Sequence, residues 1–229
     1  NGFEPSFLNK LKIDTLNYFS RKPESFHKMV EGCPNFHRMI DFETGKKYSF
    51  NQCKHSYYFY PWNDHEINVF SVIYKKWRVL KNLMGLDPYV FENNTPKDGV
   101  IDRIQLVNYP SKIGYLEPHT DPYLYQKILI SVYMSKIGKD FDGLGFYVFR
   151  DEKNIESVEN NIEVGDIGIA LATVCHGVAP VEGLHNSSEG RWFLSLYSNE
   201  SDEVKNRHTS SPFKPKLNLN IKKQIFPQI

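Results

Sequence analysis

Apolar residues recur along this chain in two different rhythms. Over residues 5–19 (PSFLNKLKIDTLNYF), Phe7, Leu8, Leu11, Ile13, Leu16 and Phe19 fall on one broad face at helical spacing, and Lys22-Pro23 interrupts the pattern, which predicts a helix. A second helix is predicted from Asp64, as N-cap, through Ile67, Phe70, Ile73, Tyr74, Trp77, Leu80 and Met84 to a stop at Gly85. The first hundred residues therefore read as mainly helical with aromatic-rich interruptions. From Val100 onward the rhythm shortens to runs rich in Val, Ile, Tyr and Phe between Gly, Pro and Asp clusters. Strands are predicted at 101–109, 115–120, 127–134, 145–149, 155–158, 167–172, 175–180 and 191–197. Short strands punctuated by turns suggest a sandwich or barrel, with the preceding helices packed on one sheet as a buttress.

Three regions follow: a helical and aromatic-rich segment at 1–99, a β core at 100–198, and a basic tail at 199–229 carrying Lys205, Arg207, Lys214, Lys216, Lys222 and Lys223. The tail reads as irregular. A chain of 229 residues with 40% hydrophobic and 24% charged residues can bury a core without staples, which excludes wholesale disorder. Its net charge of +1 offers no global field for nucleic acid or anionic lipid, so polyanion binding would need a local patch. Cys33, Cys53 and Cys175 form no CxxC pair and no disulfide framework, which suits a reducing, cytoplasmic compartment. The longest apolar run, residues 167–175, falls short of the roughly 18 residues of a membrane span.

The chemistry concentrates in the β region. Pro118-His119-Thr120-Asp121 ends a predicted strand, where residues two apart share a face, so the His119 imidazole and the Asp121 carboxylate can converge. His176 lies in an apolar strand segment, where an unpartnered imidazole is costly. Each has a plainer reading, a polar turn for HxD and a hydrogen-bonded core histidine for His176. Together they make a two-His, one-carboxylate set, which leaves open coordination positions of the kind non-haem Fe(II) oxygenases use. Fifteen residues after His176, Arg191 opens the apolar run RWFLSLY, where its guanidinium wants a planar anionic partner.

The order HTD, then His, then Arg within eight short strands resembles the Fe(II)- and 2-oxoglutarate-dependent dioxygenase superfamily, as does Asn108-Tyr109-Pro110 ahead of HTD. The resemblance covers residues 100–197 and implies a mainly β fold with a helical buttress around a double-stranded β-helix, a jelly-roll or cupin-like core. It implies that His119, Asp121 and His176 are the catalytic Fe(II) ligands. It implies 2-oxoglutarate and dioxygen as co-substrates, with Arg191 on the distal carboxylate, Tyr109 as hydrogen-bond donor, and Lys127 as a competing anchor. Phe193 stands where many members have a serine two residues after the arginine, and a serine comes only at Ser195. Asp121 argues against halogenation, since family halogenases replace that carboxylate.

The expected activity is hydroxylation of a small-molecule or carrier-borne metabolite with release of succinate and carbon dioxide, with nucleic acid disfavoured as partner and the oligomeric state open. The alternative is a non-redox cupin-like metal-binding barrel, an isomerase or binding module. The strip at residues 55–62 (HSYYFYPW) reads either as a wall over the site or, more simply, as glue between the helical layer and the barrel. The amino-terminal histidines His27, His37, His55 and His65 have no evident ligand partners in sequence.

Overall fold

The computed structural model describes residues 2–48, 50–152, 154–184, 189–213 and residue 225. In chain order its elements are α1 (Pro5–Phe19), β1 (Phe36–Ile40), α2 (Phe42–Gly45), β2 (Gln52–Phe59), α3 (Phe70–Leu83), β3 (Val100–Tyr109), β4 (Tyr115–Thr120), β5 (Ile128–Tyr133), β6 (Phe146–Phe149), β7 (Ile155–Ser157), β8 (Ile167–Leu171), β9 (His176–Val178), β10 (Arg191–Glu200) and β11 (Ser211–Pro212), with 3-10 turns at Pro61–Glu66 and Pro96–Asp98. The strands follow one hydrogen-bonded path, β7-β6-β9-β4-β2-β3-β10-β5-β8, with β1 paired to β2 and β11 to β4. Every named pairing is antiparallel. The sheet curls into the jelly-roll half-barrel expected from the strand pattern, and the hinge of the curl is β2. Residues 55–59 of that strand pair with β3, while Gln52 and Cys53 pair with β4.

Alternation along the strands decides what lies outside and inside the curl. Ile104 and Leu106 of β3, Ile130 and Val132 of β5, and Leu194 and Leu196 of β10 point outward into the main core, where they meet Leu8, Leu11 and Phe19 of α1 and Phe70, Ile73 and Trp77 of α3. Val107, Tyr109, Leu129 and Phe193 point the other way, with Leu116, Phe146 and Val178. Full burial of a side chain such as Trp77 or Leu194 stabilises by roughly 1.5–3 kcal/mol, so the helices are held by the outward face and the inward face is left free for a site.

α1 spans the residues the sequence predicts, but its buried face is narrower: Leu8, Leu11, Thr15 and Phe19 are covered while Ile13 and Leu16 are exposed. α3 starts later than the sequence suggests. Asp64 sits in a 3-10 turn, and its Oδ1 accepts from the Val69 and Phe70 N–H groups at 2.7 and 3.1 Å, tethering the helix start from outside. Lys81 of α3 is fully buried and donates to Asp102 of β3 at 2.5 Å, while Ser198 of β10 donates to the other Asp102 oxygen.

The largest difference from the sequence reading lies in residues 1–99, where the structure adds β1 and β2 to the sheet. Both faces of β2 are covered: Tyr57 and Phe59 join the helix-side core, while Tyr58 and Tyr60 join Phe36 and Ile101. A strand buried on both sides shows no polar alternation, so its period of two is invisible in sequence. The tail is also more ordered at its start than expected. β10 continues to Glu200, and β11 pairs Ser211 with Thr120 and Pro212 with His119. Lys214, Lys216, Lys222 and Lys223 lie outside the described residues.

Candidate metal centre and cavity

The pairing of β4 with β9 sets His119 opposite His176 and Leu116 opposite Val178. Three steps on β4 match two on β9, so β4 carries one extra residue, a bulge. Pro118, which has no N–H to give a ladder, falls within it. The bulge lets Leu116 and His119 face the same interior although they are three apart, and Asp121 follows two residues later on that side. Gly177 permits the close approach of the strands: a Cβ there would stand 2.8 Å from the Leu116 carbonyl oxygen.

His119, Asp121 and His176 thus bring one ligand atom each within 4.8 Å of one another, and all three are buried. His119 Nε2 lies 3.7 Å from Asp121 Oδ1, and His176 Nε2 lies 3.9 Å from Oδ2. The Nδ1 of His119 faces the Glu117 carbonyl at 3.0 Å, and that of His176 faces the Val174 carbonyl at 2.9 Å. Each carbonyl can only accept, so each Nδ1 carries the proton and each Nε2 presents its lone pair inward, the tautomer a metal ligand needs. Burial, followed by the proximity of His176, holds His119 below the ordinary imidazole range, which keeps it neutral. Asp121 Oδ1 accepts from Ser210 at 2.9 Å, while Oδ2 is buried without a hydrogen-bond partner among the described residues. A buried carboxylate with one oxygen left open, beside two imidazole lone pairs, is the donor set a divalent cation satisfies. Phe50 stacks on His119 at 4.4 Å and closes that side.

The triad opens into a cavity of about 500 Å³ within the curl. Tyr109 lines it, and its buried hydroxyl has no partner among the described residues. Ser195 and Ser131 also line it. Arg191 and Lys127 do not. Arg191 lies behind Tyr109 and Phe193, its guanidinium 5.5 and 4.9 Å from their ring centres. The planar anion its position calls for is the chain's own: Arg191 Nε donates to Glu159 Oε1 at 2.7 Å, and Nη2 donates to the same oxygen. Burial disfavours the Arg191 charge, but Glu159 holds the guanidinium above its ordinary value. Gly145, at φ +67, leaves room for this carboxylate, since a Cβ there would stand 2.9 Å from Glu159 Oε2.

Other residues on this cavity carry no signal in the sequence. Arg38 of β1, Lys54 of β2 and Arg103 of β3 all line it. Nothing in their spacing marks them, because they come from three strands and converge only through the pairing of β1, β2 and β3. Ser210 lies in the tail read as irregular and reaches Asp121 only because β11 docks on β4.

On the outer side of the sheet, Glu24, His37 and His55 also come within ligand distance of one another, a grouping the sequence does not suggest. A hydrogen-bonded chain accounts for the two histidines: His37 Nε2–H faces the Lys22 carbonyl at 3.0 Å, and His37 Nδ1 accepts from His55 Nε2 at 2.9 Å. Glu24 meanwhile accepts from the Met39 N–H. Cys175 is buried beside His176, and burial pushes its thiol up to about 12, which makes it a packed group.

No family model matches the chain, and no curated protein matches it by sequence. Solved structures do match. A 2OG-Fe(II) oxygenase family protein from Caulobacter crescentus is 12% identical, covers 88% of this chain and 75% of its own, and superposes with a TM-score of 0.50. A C-terminally truncated Neurospora crassa protein in apo form is 14% identical, with coverage of 86% and 79% and a TM-score of 0.50. At such identity the likeness establishes the fold.

Proposed function

We propose that this chain, which has the fold of 2OG-Fe(II) oxygenase family structures, is itself an Fe(II)- and 2-oxoglutarate-dependent oxygenase that hydroxylates a small molecule. The observation that carries the reading is the buried triad with both imidazoles in the ligand tautomer and Asp121 Oδ2 without a partner among the described residues. His119, Asp121 and His176 would hold the iron, with Ser210 orienting the carboxylate. Bound iron with 2-oxoglutarate supplies the oxidant: dioxygen is consumed, the co-substrate loses carbon dioxide to become succinate, and the substrate gains an oxygen atom.

The chain's own residues supply the rest. The Glu117 and Val174 carbonyls keep both ligand imidazoles in one tautomer, and Phe50 keeps water from the His119 flank. For the distal carboxylate of the co-substrate, Tyr109 offers a free hydroxyl, and Lys54 offers a cation with no carboxylate partner among the described residues. His55 pairs with Asn108, so Lys54 and Tyr109 are next in that register and both face inward. Arg191 could serve only by giving up Glu159, and Lys127 lies off the cavity.

One observation favours a second reading, a non-redox metal-binding barrel: the cation that the family resemblance assigns to 2-oxoglutarate is neutralised internally by Glu159. Anaerobic addition of Fe(II) and then 2-oxoglutarate, followed by visible spectroscopy, separates the two. An oxygenase gives a charge-transfer band that needs both additions and is lost in His176→Ala. Iron binding with no band on adding 2-oxoglutarate would overturn the oxygenase reading and leave the barrel.

A further inference from the structure

The cavity carries an imbalance of charge that the metal centre does not use. Its lining includes three carboxylates, and each is engaged: Asp121 in the triad, Glu200 with His208 at 2.9 Å, and Asp202 with Arg207 at 3.1 Å and the Met29 N–H. Of the lining cations, Lys28 and Lys47 are exposed and Arg207 pairs with Asp202, whereas Arg38, Lys54 and Arg103 are partly buried and none has a carboxylate partner among the described residues. None of the residues outside the description is an Asp or Glu.

The two arginines are held in place by groups that leave their charge unanswered. Arg38 lies over the Phe26 ring at 4.4 Å and near Tyr48 at 5.3 Å. Arg103 lies between the Tyr58 and Tyr197 rings at 5.4 and 5.1 Å, and donates only to neutral acceptors, Gln105 Oε1 at 3.4 Å and Met29 Sδ at 3.6 Å. The Nε of each is buried with no acceptor. Such guanidinium groups, stacked and partly desolvated, are pre-organised for a planar or tetrahedral oxyanion. Burial, with smaller contributions from Arg103 and Arg38 and against the attraction of Asp121, holds Lys54 at about 8, below its ordinary value.

Charge counting separates the roles. 2-Oxoglutarate has one carboxylate for the metal and one distal carboxylate, and the distal one offsets a single cation. Lys54 follows Gln52 and Cys53, which pair with Leu116 and Tyr115 of the ligand-bearing strand β4, and is next in register to Tyr109, so it is the cation beside the candidate metal centre. Two arginines remain. Resting on the reading of this cavity as an oxygenase site, we propose that the substrate is itself a small anion, and that Arg38 and Arg103 grip its carboxylate or phosphate while its carbon skeleton extends toward the triad.

The test uses the full chain and three probes of similar shape: benzoate, phenyl phosphate and neutral benzamide. Calorimetric titration is run in the presence of saturating 2-oxoglutarate. The expected result is that one or both anions bind and benzamide does not, and that Arg38→Gln and Arg103→Gln each weaken the anion by about tenfold or more. Lys75→Gln, an exposed substitution on α3, serves as control and leaves the affinity unchanged. Melting curves report whether the arginine variants fold, and Arg38→Lys, which keeps the charge and loses the fork, gives an intermediate affinity. Equal binding of benzamide, or wild-type anion affinity in both arginine variants, overturns the proposal. So does anion binding seen only when 2-oxoglutarate is left out, because the cluster would then serve the co-substrate alone. The charge-transfer titration is read separately: a band without anion binding removes this inference and keeps the oxygenase, whereas anion binding without a band keeps the anion site and removes the oxygenase.

Discussion

At the scale of single residues, the metal centre depends on atoms that never touch the metal. Ser210 donates to Asp121 Oδ1 and leaves Oδ2 as the open oxygen, so it orients the carboxylate between the imidazoles. Ser210→Ala should weaken divalent metal binding by about 10-fold or more, the usual effect of removing such a supporting hydrogen bond. Metal titration followed by a bound-metal signal checks it, with an unchanged melting temperature for the metal-free protein separating orientation from folding. His119 and Asp121 are legible in sequence because two residues on one strand share a face. Ser210 is not, because its partner is 89 positions away.

At the scale of elements, one buried ion pair ties the helical layer to the sheet. Lys81 and Asp102 have fully buried side chains, and Asp102 is further held by Ser198. Burial pushes the Asp102 carboxyl up, and Lys81 and Ser198 oppose it. Lys81→Met should leave that carboxylate buried without its cation and cost about 3–5 kcal/mol in urea unfolding. Changing both residues to apolar ones of similar size should cost less than the single change, because no charge is then stranded. A double-mutant cycle checks the pair. α1 is legible because its apolar residues share a face at helical spacing, and most of the strands after Val100 are legible as short runs rich in Val, Ile, Tyr and Phe between Gly, Pro and Asp clusters. β1 (FHRMI) and β2 (QCKHSYYF) escape that reading because His, Arg, Gln and Lys interrupt their apolar runs while both faces of β2 are covered, so neither a continuous apolar run nor a clean alternation marks them.

At the scale of the whole molecule, the net charge is +1 and, among the described residues, no helix is long and apolar enough to cross a membrane. A metal that binds only the folded state should raise the stability of the entire domain. With Mn(II), which does not oxidise in air as Fe(II) does, at a hundred times its dissociation constant, the gain is about 2.7 kcal/mol, or on the order of 5–10 °C in melting temperature for a chain of this size. Differential scanning calorimetry at rising Mn(II) checks this, and the shift should vanish in His176→Ala. A flat melting temperature in the wild type would mean that the triad holds no divalent ion.

The sequence by itself determined the two helices that cover the sheet, most of the strands after Val100, and the residues of the candidate triad, because local spacing converts directly into a helix face or a short strand. Tertiary structure alone decided how charges pair. The apolar run around Arg191 marks it as needing a planar anion, yet only the return of the chain after β7 supplies Glu159 as that partner. Arg38, Lys54 and Arg103 carry no local mark at all. Pairing between β1, β2 and β3 brings them to one wall, and whether a cation there is neutralised or left open depends on carboxylates contributed from distant parts of the chain.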